Sequence, residues 1–380
     1  MSPLLHRRSI LLLLVLTLTG GLLVSKAQRP SVSLAGGSYA SDEMMQSTLE
    51  ADTTSLVRVP ESDRVRAYIN EYRDEITKDP SHYDSMEISE KYYDLIGPER
   101  MLDVLEANPY CHAKAHNLGR LIYIKNNRNI SKALAIAGTR CTEATFHGVL
   151  MQVFADLGGN PKHLSGSDFA KTALTFCDKP EVQKYLNEGS CVHAIGHALM
   201  FLADNDVHEG TQLCDVFPDR GRRYYCATGV FMQREKTVAD QDAKVSTTYP
   251  CNQSDYPAAC YRHKLRDVFP NKPDEARALC LSMPHGVDRQ GCFHGLGFGF
   301  YKAMVEDPKR MTTLCSSDDT TDQKMCVEGA AGVMMLNLGE SITAQICAEE
   351  ASSTGTFCRG GMAVNNNGMN RDFDLYYVRR

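Results

Sequence analysis

From Pro60 onward, apolar residues recur at spacings of three and four. Val65, Tyr68, Ile69 and Tyr72 make the first such stripe and predict an amphipathic helix. Pro98-Glu99-Arg100 reads as a helix start, since proline suits the first turn, and Met101, Leu102 and Leu105 follow. Residues 59–105 are therefore expected to form amino-terminal helices. Upstream the pattern is different. Ile10 to Val24 is an apolar run broken only by Thr17, Thr19, Gly20 and Gly21, with His6, Arg7 and Arg8 before it. Ser25-Lys26-Ala27 then offers small residues for cleavage before Gln28. Residues 1–27 read as a signal peptide or, if uncleaved, a signal anchor, because the run falls short of the roughly 20 residues that span a bilayer. Residues 28–58 are rich in Ser, Thr, Asp, Glu and Gly without apolar periodicity, and read as a flexible stalk.

From residue 106 to 365 the pattern repeats. The cysteines fall into successive pairs, 111/141, 177/191, 214/226, 251/260, 280/292, 315/326 and 347/358. The second member of each pair opens a similar phrase, as in Cys191-Val-His-Ala-Ile-Gly-His, Cys226-Ala-Thr-Gly-Val-Phe-Met, Cys292-Phe-His-Gly-Leu-Gly-Phe and Cys326-Val-Glu-Gly-Ala-Ala-Gly. A period of about 30–37 residues marks a stacked array. Each unit reads as two helices. Helix A follows the second cysteine, and a shorter helix B ends at the next first cysteine, as in Asp274 to Cys280. The fold expected is all-α, a disulfide-stapled α-solenoid of helical hairpins. Its small residues at the fourth position of the phrase (Ala194, Gly229, Gly295, Gly329, Gly361) would let neighbouring helices approach closely. In architecture the array resembles tetratricopeptide-type and Sel1-like α-solenoids, without the Trp/Leu/Gly/Tyr consensus of the former. Residues 366–380 read as a tail.

Composition sharpens this picture. The 380-residue chain carries a net charge of −6, which excludes a bulk electrostatic claim on nucleic acid or anionic membranes. A membrane contact would come only through an uncleaved amino-terminal segment. Its 14 cysteines are an even number, and a chain led by a signal sequence meets an oxidising compartment, where pairing is the default. The sequons Asn129-Ile130-Ser131 and Asn252-Gln253-Ser254 agree with a secreted or lumenal glycoprotein. With the thiols paired and no Cys-x-x-Cys, Gly-x-Ser-x-Gly or P-loop present, cysteine, serine and nucleotide chemistry recede. The loop acids Asp318, Asp319 and Asp322 lack EF-hand spacing, and the basic-aromatic spot Arg220, Arg222, Arg223, Tyr224 and Tyr225 reads first as a solvated turn.

The histidines remain. His112 and His116 are four apart, as are His193 and His197, so each pair shares a helical face. His147 stands at the same offset from Cys141 as His197 does from Cys191, and His294 repeats the slot of His193. Phased on adjacent helices, His112, His116, His147, His193 and His197 could converge on one transition metal ion (copper, zinc or iron), with His294 a further, more distant candidate. Glu143 and Asp156 are the nearby carboxylates that could act as base or orient a ligand. Two functions are expected from these features. One is a metal-dependent enzyme of the secretory route, oxidising or hydrolysing a small molecule. The other is a non-catalytic extracellular or lumenal scaffold that recognises a protein, peptide or glycan on its helical surface.

Overall fold

The computed structural model describes residues 62–365, apart from 79–85, 109–110, 139, 142, 158–166, 243–245, 308 and 351. The signal segment, stalk and tail expected at 1–27, 28–58 and 366–380 lie outside the described residues. Among the described residues there are eighteen α-helices and no strand. None of these helices is long and apolar enough to cross a membrane.

Helices α1 (Asp63–Lys78), α2 (Met86–Ile96) and α3 (Pro98–Glu106) come first, with Pro98 opening α3 as its sequence predicts. A and B helices then alternate. The first units are α4 (Cys111–Lys125) with α5 (Ile130–Ala137), and α6 (Ala144–Leu157) with α7 (Ser167–Phe176) and α8 (Pro180–Gln183). Next come α9 (Glu188–Leu202) with α10 (Val207–Leu213), then the long α11 (Arg220–Asp242). The remaining units are α12 (Pro257–Val268) with α13 (Pro273–Ser282), α14 (Val287–Gly299) with α15 (Tyr301–Glu306) and α16 (Lys309–Leu314), α17 (Thr320–Glu349) and α18 (Ser352–Asn365). Gly339, with φ of 77°, breaks α17 into an A-type and a B-type half, a backbone state that favours glycine. Asn129, Asn187, Asp206 and Asp319 cap the starts of α5, α9, α10 and α17 by accepting from backbone N–H groups of the first turn.

Successive A helices pack one on the next, from α4 through α6, α9, α11, α12, α14 and α17 to α18. This row fits the stacked-hairpin expectation. The seven cysteine pairs all join as the spacing predicts. Their presence indicates an oxidising, extracellular or lumenal environment. The staples differ from expectation in one respect. Each second cysteine from Cys191 onward lies inside its A helix rather than at the start; Cys226, for example, falls a turn and a half after Arg220. The bridge therefore grips the A helix within its first two turns.

The central A helices are apolar on nearly every side and are enclosed accordingly; every residue of α6 from Ala144 to Phe154 is buried. Glycine sets how closely they approach. A Cβ on Gly148 would overlap the His116 carbonyl oxygen, and one on Gly119 the Thr145 carbonyl oxygen, so α4 and α6 meet backbone to backbone. Gly196 of α9 and Gly229 of α11 meet reciprocally, a Cβ on either falling 3.0 Å from the other's Cα.

Candidate metal centre

The closely packed helices α4, α6 and α9 carry five of the predicted histidines to one place. His112 and His116 extend from α4, His147 from α6, and His193 and His197 from α9. In His112, His116, His147 and His197, one ring nitrogen each lies within 4.8 Å of the others. Ring centroids stand 4.9 Å apart for His116–His197 and for His147–His197, and 5.0 Å apart for His112–His116. His193 joins at one edge, 4.8 Å from His197 and 5.2 Å from His147 by ring centroid. His116, His147 and His197 are buried, and His112 and His193 are half-buried. The group contains no carboxylate and could hold a metal ion.

Hydrogen bonds fix how three of these rings face. His112 Nδ1 lies 3.0 Å from the carbonyl oxygen of Cys141 and donates to it. That carbonyl belongs to the cysteine bridged to Cys111, the residue before His112, so the staple itself orients the ring. Thr228 Oγ1 lies 2.6 Å from the Tyr225 carbonyl oxygen and 2.7 Å from His193 Nδ1. Its single proton goes to the carbonyl, so His193 donates to the hydroxyl from Nδ1. His197 Nδ1 lies 3.0 Å from Gln233 Oε1 and donates to it. His193 and His197 are then left with Nε2 lone pairs, and these two nitrogens face each other at 3.1 Å. An imidazole tethered through one nitrogen, with the other turned inward, is the usual arrangement of a metal-ligating histidine.

The surroundings keep the His193 ring neutral. Burial drives the His193 pKa well below its ordinary value, and the neighbouring His197, His147, Arg262 and His263 push it further in the same direction. Neutral imidazole is the ligating form.

The other predicted site residues fall elsewhere. His294 is not part of the group; buried on α14, it stands edge-on to Tyr224 at 6.3 Å, and burial together with Arg262 lowers its pKa to about 3. Three repeat units separate it from the His193 slot, which is why a shared phrase position did not bring the two together. Asp156 forms an ion pair with Arg128 at 2.8 Å and accepts from Gln152 Nε2 at 2.9 Å, so it serves a surface network on α6. Glu143 sits at the start of α6, where its carbonyl accepts the backbone N–H of His147. Burial raises its carboxyl pKa, a shift partly offset by a hydrogen bond from the Ser190 side chain. Neither carboxylate belongs to the imidazole group. The partners Thr228 and Gln233 escaped sequence reasoning. Thr228 carries a positional signal, since it occupies the His193 slot one unit later; Gln233 carries none.

Two other sequence features resolve into structural roles. Arg222 bonds Glu188 at 2.6 Å and Asp178 at 2.9 Å, and Arg223 donates to the Phe217 carbonyl at 2.6 Å, so the basic-aromatic spot clamps α11 to its neighbours. His285, Asp318 and Asp322 form a second grouping of metal-binding types, but Arg289 already serves as its cation, bonding both Asp318 and Asp322. No protein-family model, curated protein or solved structure matches the chain, so its function must be read from this geometry alone.

Proposed function

We propose that the protein is a metal-dependent enzyme of an oxidising compartment, with His112, His116, His147 and His197 as ligands of a transition metal ion and His193 at the edge of the set. The carrying observation is the convergence of four imidazole nitrogens from three helices within 4.8 Å, with the His112 and His197 rings tethered through Nδ1. An all-nitrogen set without thiolate or carboxylate suits zinc, copper or iron. When bound, such an ion supplies Lewis-acid or redox chemistry at a coordination position left to water, oxygen or substrate.

The chain's own residues prepare that position. Cys141, through its carbonyl, and Gln233, through its amide oxygen, hold ligand rings against rotation. The enclosed α6 excludes bulk water from one side. Seven disulfides keep the supporting helices in register, as a site of fixed geometry requires. Glu143, whose raised pKa suits proton transfer nearer neutrality, is the base closest in sequence to a ligand. Both oxidation and hydrolysis are compatible with this set.

The test is metal analysis of protein purified with its disulfides intact. About one equivalent of a transition metal is expected, falling to background in a His116→Ala/His197→Ala variant that retains its melting transition. Less than about 0.1 equivalent in the natural chain, with none taken up on soaking, overturns the proposal and leaves a scaffold with a histidine core.

A further inference from the structure

A cavity of about 200 Å³ opens beside the histidine group, and His116 forms part of its wall. Gln233, which tethers His197, forms another part, so the cavity touches one imidazole directly and a second through its partner. Asn117, Arg120, Met151, Phe201 and Asn205 complete the lining. At about 30 Å³ per water, the volume matches roughly seven waters. A small organic molecule fits this volume.

The charge of the lining is one-sided. Arg120 is half-buried and, among the described residues, has no salt bridge; Asp156 acts on it only at longer range. Its Nε donates to Gln152 Oε1 at 3.1 Å, and its guanidinium stacks over the Phe201 ring at 5.2 Å. Asp156, the nearest acid in this network, is engaged by Arg128 and Gln152. Phe201 is 42% exposed, unusual for a large aromatic side chain, and stands on this cavity. Asn205 beside it holds a left-handed backbone (φ 64°), which asparagine tolerates better than most residues. An all-imidazole centre also adds no negative charge of its own. A cation there would leave both ends of the cavity positive.

We infer that this cavity is the substrate site of the proposed metal centre and takes a small organic monocarboxylate, its carboxylate on Arg120 and its apolar body against Phe201. The inference rests on the metal-centre reading for the word substrate, but the binding itself does not require metal. A single guanidinium matches one carboxylate charge in a forked, two-bond geometry. Asn117 and Asn205 line the same cavity and add amide groups at its polar end.

Benzoate and its neutral isostere benzamide serve as probes, titrated into the full chain with and without zinc. Benzoate is expected to bind both forms, at least about tenfold more tightly than benzamide. Arg120→Gln should remove that preference without changing zinc uptake, and Arg120→Lys should retain part of it. Equal binding of the two probes, no benzoate binding to either form, or an Arg120→Gln variant with unchanged benzoate affinity overturns the inference. Failure of the metal reading shows separately, as absence of zinc uptake, and the metal-free titration still decides the carboxylate site.

Discussion

In the amino-terminal half of the A-helix row, α4, α6 and α9 turn five imidazoles toward one another. In the carboxyl-terminal half, α12, α14 and α17 carry Arg262, His263, His294 and Glu328 at the related phrase positions. There the groups are unlike and do not gather into one set of ligand type, although Arg262 acts on both His294 and His193. Arg262 stacks 3.7 Å over Phe298, His294 stands edge-on to Tyr224, and Glu328 lies 3.8 Å from Lys324. Yet the frame is the same in both halves. Cysteine bridges recur, and glycines bring adjacent backbones into contact at Gly196 and Gly229 in one half and at Gly295, Gly297 and Gly329 in the other. Cysteine and glycine specify the frame, and one or two slots per unit specify chemistry. A ligand set arises only where several consecutive slots hold the same residue type.

The strongest challenge to this contrast is to exchange histidines for alanine in each half. The His116→Ala/His197→Ala variant should lose all bound metal by elemental analysis, whereas His294→Ala should keep it. Loss in both would mean that the centre extends across the row. Next in size are the glycine contacts. Gly229→Ala and Gly295→Ala should each destabilise by about 3 kcal/mol in denaturant unfolding, because a Cβ meets backbone that cannot move aside. Only Gly229→Ala should also weaken metal binding, since Thr228 precedes it and Gln233 follows one turn later on the same helix. Gly360, where a Cβ would meet only the Glu328 carboxylate at 3.8 Å, should accept alanine with almost no change.

The carboxyl-terminal half should reveal itself through pH. Burial raises the Glu328 pKa to about 7, partly countered by Lys324. The folded state then binds more protons than the unfolded state between about pH 4.5 and 7, so stability falls as pH rises through that window. Glu328→Gln should remove the fall, leaving the variant more stable at pH 8 by up to about 3 kcal/mol and little changed at pH 4. His294 works in the opposite sense: its pKa of about 3 makes stability fall as pH drops below about 6.5, and His294→Gln should flatten that limb. Unfolding midpoints measured across pH 4–8 check both signs. The effect of Gln233→Leu is confined to the site: it frees the His197 ring and should weaken metal affinity about 10- to 100-fold while sparing the fold.

Much of this was legible in the chain. Cysteine spacing encodes all seven bridges because each joins neighbours in sequence. Histidine phasing encodes the convergence of α4, α6 and α9, since i and i+4 share a face and equivalent offsets share a row. What escaped depends on distance through space. Gln233 reaches His197 from 36 residues away, with no periodic signal to mark it. His294 shares the phrase of His193 but not its neighbours, because phrase position fixes the face of a helix and not which helix stands opposite. The Gly339 break in α17 follows from a backbone angle that a glycine permits without announcing it.

The bridges also bear on how the chain is made. Fourteen cysteines allow roughly 10⁵ distinct pairings. This chain uses the one in which each cysteine joins the next in order, six of the seven loops spanning 14 residues or fewer. A chain emerging from its amino end into an oxidising space therefore meets each correct partner before any wrong one downstream exists. Local loops close on a submicrosecond scale, far faster than residues are added. The sole long loop, Cys111 to Cys141, comes first, when the only rival thiols are those not yet made. Thiol oxidation, which takes seconds or longer, is then the slower step, and the local order of the cysteines favours each native encounter over a distant one.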